Sequence, residues 1–316
     1  MQSKPPSNPH SPLNTETFAD RAQAYTLNPN RNPLKEVFDR APSVEESPPL
    51  LGIFNDIPWH NFRENEAHAW ARAGFSWIVN DAEHSQWEGY YGREHNAAIA
   101  RLGMLPVQRM AREAVSAHGD ALQMGARATM RPYATTFEDA ERYFRAINFP
   151  TPGASTPDDR GGYPVRGGDR GMMFTPDELR DAETETQGWI QFETAEYILD
   201  AELRDRVLDL MVEQGSNKAC GFVGPFDAIM REGQIPEMED AVNALFRAAA
   251  SRGIHMGRVI GSGAMEDPVE IENAMVTAIE NGARLLCAHP MTSDLTFRGA
   301  AAVAAPFHNA ANRCGF

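Results

Sequence analysis

The sequence predicts an α/β fold of the (β/α)₈ barrel type, eight parallel strands ringed by helices. Three observations carry the prediction. Short apolar runs alternate with helical periodicities from Leu51 to Ala288, giving eight strand candidates, the mark of a parallel sheet closed by crossover helices. Glycines follow six helical stretches, at Gly74, Gly103, Gly125, Gly215, Gly253 and Gly282, where a left-handed residue ends a helix. An open doubly wound sheet would also alternate, but the count of eight and the lack of a glycine-rich phosphate fingerprint after the first strand favour the barrel.

In order, the strands are expected at Leu51–Phe54, Ser76–Asp81, Met104–Arg109, Ala126–Arg131, Gly188–Glu193, Ala219–Gly224, His255–Ile260 and Ala283–Ala288. The helices between them are expected at Glu64–Arg72, Gly89–Leu102, Glu113–Met124, Phe137–Ile147, Ala195–Gln214, Glu237–Ser251 and Asp267–Asn281. Residues 1–46 are rich in Pro, Asn and Ser and read as a partly ordered extension. Its short helices, Thr17–Ala24 and Lys35–Arg40, suit an arm packed on a partner subunit. The barrel proper is expected over residues 47–316, with a C-terminal helix for oligomer contact. One insertion breaks the rhythm before strand five: Phe149–Phe174, with Pro150, Pro152, Pro157 and Pro164 and two Arg-Gly-Gly runs. It is too long for a simple turn and reads either as a surface lobe or lid or as a disordered insertion.

Composition narrows the function. Net charge is −15, from 29 basic and 44 acidic residues, with no long basic run. This argues against non-specific nucleic-acid binding and against anionic membranes. Apolar residues make up 42% of the chain, but no 18-residue apolar run predicts a transmembrane helix and no secretory signal is visible. The cysteines, Cys220, Cys287 and Cys314, have no metal-ligand spacing. They read as reduced, intracellular thiols, which predicts a cytoplasmic protein.

In a barrel of this type the site lies at the carboxyl ends of the strands. Polar groups gather there: Asn80-Asp81-Ala82-Glu83-His84, Gln108-Arg109, Arg131-Pro132, Gln191 and Glu193, Gly224-Pro225-Phe226-Asp227 and His289-Pro290. Glu193 and Asp227 offer hard oxygens for Mg²⁺ or Mn²⁺, with Co²⁺ a further option. Arg109 is a fixed cation for a carboxylate or a developing enolate. His84 exchanges protons near neutral pH, and Asp81 is placed to orient it. The Gly224-Pro225 turn offers backbone N–H groups to a substrate carboxylate. No lysine ends a strand: Lys4 and Lys35 lie in the extension and Lys218 precedes strand six, so a Schiff-base mechanism lacks its amine.

These stretches resemble the HpcH/HpaI class II pyruvate aldolases. Asp81-Ala82-Glu83-His84 is similar to their Asp-x-Glu-His, Pro106-Val107-Gln108-Arg109 to Pro-Val-x-Arg, Gln191-Phe192-Glu193-Thr194 to Gln-x-Glu-Thr, and Gly224-Pro225-Phe226-Asp227 to Gly-Pro-x-Asp. The resemblance spans about Leu51 to Asp294. It implies a metal-dependent barrel of the phosphoenolpyruvate/pyruvate superfamily, with Glu193 and Asp227 binding the ion. It further implies that Arg109 steadies the enolate, that Gln191, Gly224, Pro225 and Phe226 position the 2-oxo acid, and that His84 with Asp81 handles protons. The partners implied are a 2-oxo acid, an aldehyde or other electrophile, and further copies of the chain in a dimer or hexamer.

Departures from the pattern are Gln123 where relatives carry an acid, Ala228 where they carry leucine, the insertion and the extension. They keep open a decarboxylase or biosynthetic enzyme that traps the enolate, as in the related macrophomate synthase. A barrel that has lost catalysis is the third reading, opposed by the joint presence of Glu193, Asp227, Arg109 and His84.

Overall fold

The computed structural model describes residues 31–55, 64–83, 89–111, 117–148, 182–215, 217–224, 235–260, 267–288 and 297–316, with the single residues 23, 177 and 233. The Phe149–Phe174 insertion and the Thr17–Ala24 helix, apart from residue 23, lie outside them.

Eight strands form one closed barrel in sequence order: β1 (Leu50–Asn55), β2 (Trp77–Asp81), β3 (Leu105–Arg109), β4 (Ala128–Arg131), β5 (Gln187–Phe192), β6 (Ala219–Val223), β7 (His255–Ile260) and β8 (Ala283–Ala288). Each pairs in parallel with the next, and β8 returns to β1. Alternation along each strand divides the core in two. Inward side chains such as Trp77, Trp189, Phe222, Val107 and Leu285 fill the barrel. Outward ones such as Ile78, Ile190 and Leu286 pack under the helices. At the centre the ring centroids of Trp77 and Trp189 are 5.2 Å apart and those of Trp77 and Phe222 5.9 Å, both edge-on. This is the favoured aromatic geometry.

Around the barrel lie α2 (Glu64–Ala73), α3 (Gly89–Arg101), α4 (Ala117–Gln123), α5 (Phe137–Ile147), α6 (Ala195–Leu199), α7 (Ala201–Glu213), α8 (Met238–Ala250), α9 (Pro268–Glu280) and α10 (Phe297–Arg313), preceded by α1 (Pro33–Arg40). The six helix-ending glycines all adopt positive φ, from +76° to +103°. One expected helix is two. Ala195–Gln214 breaks at Asp200, whose carboxylate accepts the Glu202 and Leu203 N–H groups and starts a new helix. Local capping outcompetes the continuous apolar period.

The second helix of the extension and the C-terminal helix each bury one face on the barrel of their own chain. Asn32 caps α1, and Leu34, Val37 and Phe38 plug the floor, joining the interior core. Phe38 stacks on His255 at 3.6 Å, and Ser47 hydrogen-bonds the His255 ring. Buried Arg284 ties the following turn down by donating to the Val44 and Glu45 carbonyls. It also donates to Ile279, capping the end of α9. The extension therefore contributes to the core from residue 32 onward. At the other end of the chain, α10 lies against α2 and α9 and buries Ala300, Ala304, Phe307 and Ala310. Small residues let it approach closely. Among the described residues no helix is long and apolar enough to cross a membrane.

Three buried histidines make the fold acid-sensitive. Burial pulls His95, His118 and His255 down to about 3, helped at His118 by the Arg131 charge and at His255 by Arg284. Above pH 6.5 each is neutral in both folded and unfolded chains. Below it only the unfolded chain takes up the proton, so stability is present above the unfolded pKa and lost as pH falls towards 3. The slope is at most roughly 1.4 kcal/mol per pH unit for each. The urea midpoint is expected to fall steadily between pH 6.5 and 4. His118→Phe, which keeps a ring against Tyr143, is expected to make that fall shallower.

Candidate active site

Strand register builds the site. Asp81 and Arg109 are direct partners at the ends of β2 and β3, so their side chains emerge side by side at the carboxyl rim. Arg109 Nε donates to Asp81 Oδ1 at 2.9 Å and Nη2 to Oδ2 at 2.6 Å. This two-pronged grip fixes the guanidinium plane. The third nitrogen, Nη1, lies 3.3 Å from Glu83 Oε2 and 3.6 Å from Glu193 Oε1. Phe54, at the end of β1, lies beneath the guanidinium at 5.1 Å. Burial alone would pull the Arg109 pKa down. Its hydrogen bond to Asp81 and the charges of Asp81, Glu193 and Glu83 outweigh this and hold it up.

Asp81, Arg109 and Glu193 are 1%, 7% and 2% exposed. Glu193 follows β5, and its Oε2 accepts the Tyr133 backbone N–H at 2.9 Å. Gly224 follows β6 and bonds through its own N–H to the Phe192 carbonyl. A Cβ on Gly224 would stand 3.0 Å from Gln191 Nε2 and 3.3 Å from Glu193 Oε1. Glycine there lets the backbone press against both side chains. Gln191 is 2% exposed and its buried Oε1 has no partner among the described residues. A buried acceptor in that state is a place for a ligand donor.

The structure therefore brings together Asp81, Arg109, Gln191, Glu193 and Gly224. His84, Pro225, Phe226 and Asp227 lie outside the described residues, as do His289 and Pro290. Both oxygens of Asp81 accept from Arg109, and Oδ1 also accepts the Glu83 N–H; its expected partner His84 is outside the described residues. Sequence reasoning assigned Glu83 no role, although it stands inside the Asp-x-Glu-His stretch. It also passed over Tyr133, whose signal was its place directly after the strand-ending Arg131-Pro132.

The donor set fits a divalent cation in kind. Among the described residues no group of three His, Cys, Asp or Glu could hold an ion alone, and the second proposed ligand, Asp227, is outside them. Yet three carboxylates, Asp81, Glu83 and Glu193, crowd one guanidinium. These four side chains sum to −2 in a largely water-excluded place. Arg131 also feels the Glu83 charge, and the carboxylate oxygens of the cluster are of the hard type that a divalent cation takes.

No protein-family model matches the chain. A hydroxypyruvate/pyruvate aldolase of Paraburkholderia phytofirmans is 26% identical over 233 residues, covering 72% of this chain and 82% of the relative. Among solved structures, an HpcH/HpaI aldolase/citrate lyase family protein from Burkholderia cenocepacia J2315 superposes with a TM-score of 0.60 at 23% identity, covering 82% of this chain and 92% of that one. Macrophomate synthase superposes at 0.53 with 13% identity, covering 82% and 83%. The structural likenesses speak for the barrel. Together with the curated relative they agree with the resemblance to HpcH/HpaI aldolases carried by the four motifs.

Proposed function

We propose that the chain is a divalent-metal-dependent carbon–carbon lyase that cleaves or forms aldol bonds to a 2-oxo acid. The observation that carries this reading is the gathering of Asp81, Glu83 and Glu193 around one forked arginine at the barrel rim. The curated aldolase relative supports the reaction class. Glu193, with Asp227, would hold the ion, which supplies Lewis acidity towards the keto acid when bound. Gln191 offers its amide to the 2-oxo acid, and Gly224, having no Cβ, leaves that amide where it stands. Arg109, held rigid by Asp81, places a fixed positive charge where the enolate oxygen develops. His84 is the proton-handling group of this reading.

The test is exchange of the pyruvate C3 protons in D₂O. Exchange is expected with Mg²⁺, Mn²⁺ or Co²⁺ and is expected to vanish in EDTA, in Glu193→Ala and in Asp227→Ala. Exchange at full rate without any ion, or none with all three ions, would overturn the proposal. Gly224→Ala is expected to leave the fold intact and lower kcat/KM about 10-fold, because a methyl at 3.0 Å from Gln191 Nε2 must displace it and small misplacements of bound groups are costly. An unchanged kcat/KM would place the substrate elsewhere.

Gln123, where relatives carry an acid, favours a second reading: decarboxylation of an oxaloacetate-type acid with capture of the enolate. His84→Ala separates the two, since it is expected to stop aldol chemistry and to spare a decarboxylation that needs no base.

A further inference from the structure

We infer that Tyr133 is a positioning residue for Glu193, acting through its backbone. Pro132 keeps the strand-ending Arg131 extended. The next residue, Tyr133, has φ +52°. That is the left-handed region, which a residue with a Cβ enters only under constraint. Among the described residues Asn217 is the other non-glycine with positive φ, and asparagine tolerates it. Tyrosine has no such excuse. At this reversal the Tyr133 N–H donates to Glu193 Oε2 at 2.9 Å, and the positive φ lets the chain turn away to α5 without breaking that bond.

The surroundings hold the turn in place. On one side is β4, paired with both neighbours. On the other, Thr136 and Asp139 form a reciprocal cap at the start of α5, and Tyr197 Oη donates to the Thr136 carbonyl at 2.7 Å. A strained residue between two fixed elements is what a positioning role requires. With Oε2 tethered, Glu193 presents Oε1 towards Arg109 Nη1 and against Gly224. The turn at residue 133 thus fixes the position of one carboxylate oxygen. This inference rests on the reading of Glu193 as an ion ligand.

Two sets of variants test it. Tyr133→Gly and Tyr133→Asn admit the left-handed conformation; Tyr133→Val and Tyr133→Thr resist it. Tyr133→Phe controls for the phenol. The first readout needs no ion: the amide proton of residue 133, expected far downfield because it donates to a carboxylate, and expected to move upfield in Glu193→Gln. Gly, Asn and Phe should keep the downfield signal and Val and Thr lose it. The second readout is Mn²⁺ affinity by paramagnetic resonance, expected within about 2-fold of the parent for the permissive set and at least about 10-fold weaker for the resisting set. If both sets behave alike in the amide signal, whether both keep it or both lose it, the inference falls. If the amide pattern holds but the parent protein binds no Mn²⁺ that Glu193→Gln removes, the positioning stands and the metal-dependent reading falls.

Discussion

Arg109→Lys is expected to lower kcat/KM by about 10²–10³-fold, some 2.7–4 kcal/mol of transition-state stabilisation, while the protein stays folded. Lysine keeps the charge but not the fork. Arg109 uses Nε and Nη2 on Asp81 and leaves Nη1 facing Glu83 and Glu193. One ammonium serves a single direction well and has no plane to align. The positive charge would then wander among three carboxylates instead of standing where the proposed enolate would form. Keeping the cation avoids the larger cost of leaving buried carboxylates unmatched, so the urea midpoint is expected to move little. Steady-state kinetics beside urea unfolding decides the matter. Near-normal turnover would remove Arg109 from the chemistry, and loss of the folded state would show its main role to be structural.

Gly257→Ala should cost more stability than any other alanine replacement discussed, at least about 3 kcal/mol, the upper range for overpacking. A Cβ there would lie 1.9 Å from the Leu285 carbonyl oxygen and 2.5 Å from the Leu285 Cβ. The obstruction is mostly backbone, on β8, which is hydrogen-bonded on both sides and whose pairing with β7 already shifts register between Met256 and Gly257. Gly221→Ala offers the contrast. There the nearest atoms are the sulfur and methyl of Met256, at 2.4 and 2.6 Å, and a thioether rotates aside. That variant is expected to lose only about 1 kcal/mol. Equal unfolding midpoints for the two would show the barrel yielding between β7 and β8.

The architecture was legible because its signals are local and repeated. Eight apolar runs and the glycines that end helices define strands whose ends differ from expectation by at most two residues. The break at Asp200 was hidden because a cap residue and a helical period competed over the same stretch. At the candidate site, residue types at the rim pointed to Arg109, Gln191 and Glu193, which the strand ends bring together. What residue types cannot reveal is who grips whom. The grip of Arg109 on Asp81 depends on the register of β2 against β3. The role of Tyr133 depends on one backbone angle and of Glu83 on a carboxylate arriving from the loop after β2. The intrachain packing of α1 and α10 was equally hidden: an amphipathic helix declares that one face will be covered, not by which element.

The stopper formed by Leu34, Val37 and Phe38 has a consequence for traffic. These side chains extend a solid interior of Trp77, Trp189 and Phe222, which bars passage from below and leaves the rim as the way in and out. If the proposed keto acid sits deepest, against Arg109, it enters first and its product departs last, so product-inhibition patterns should be those of an ordered rather than a random sequence.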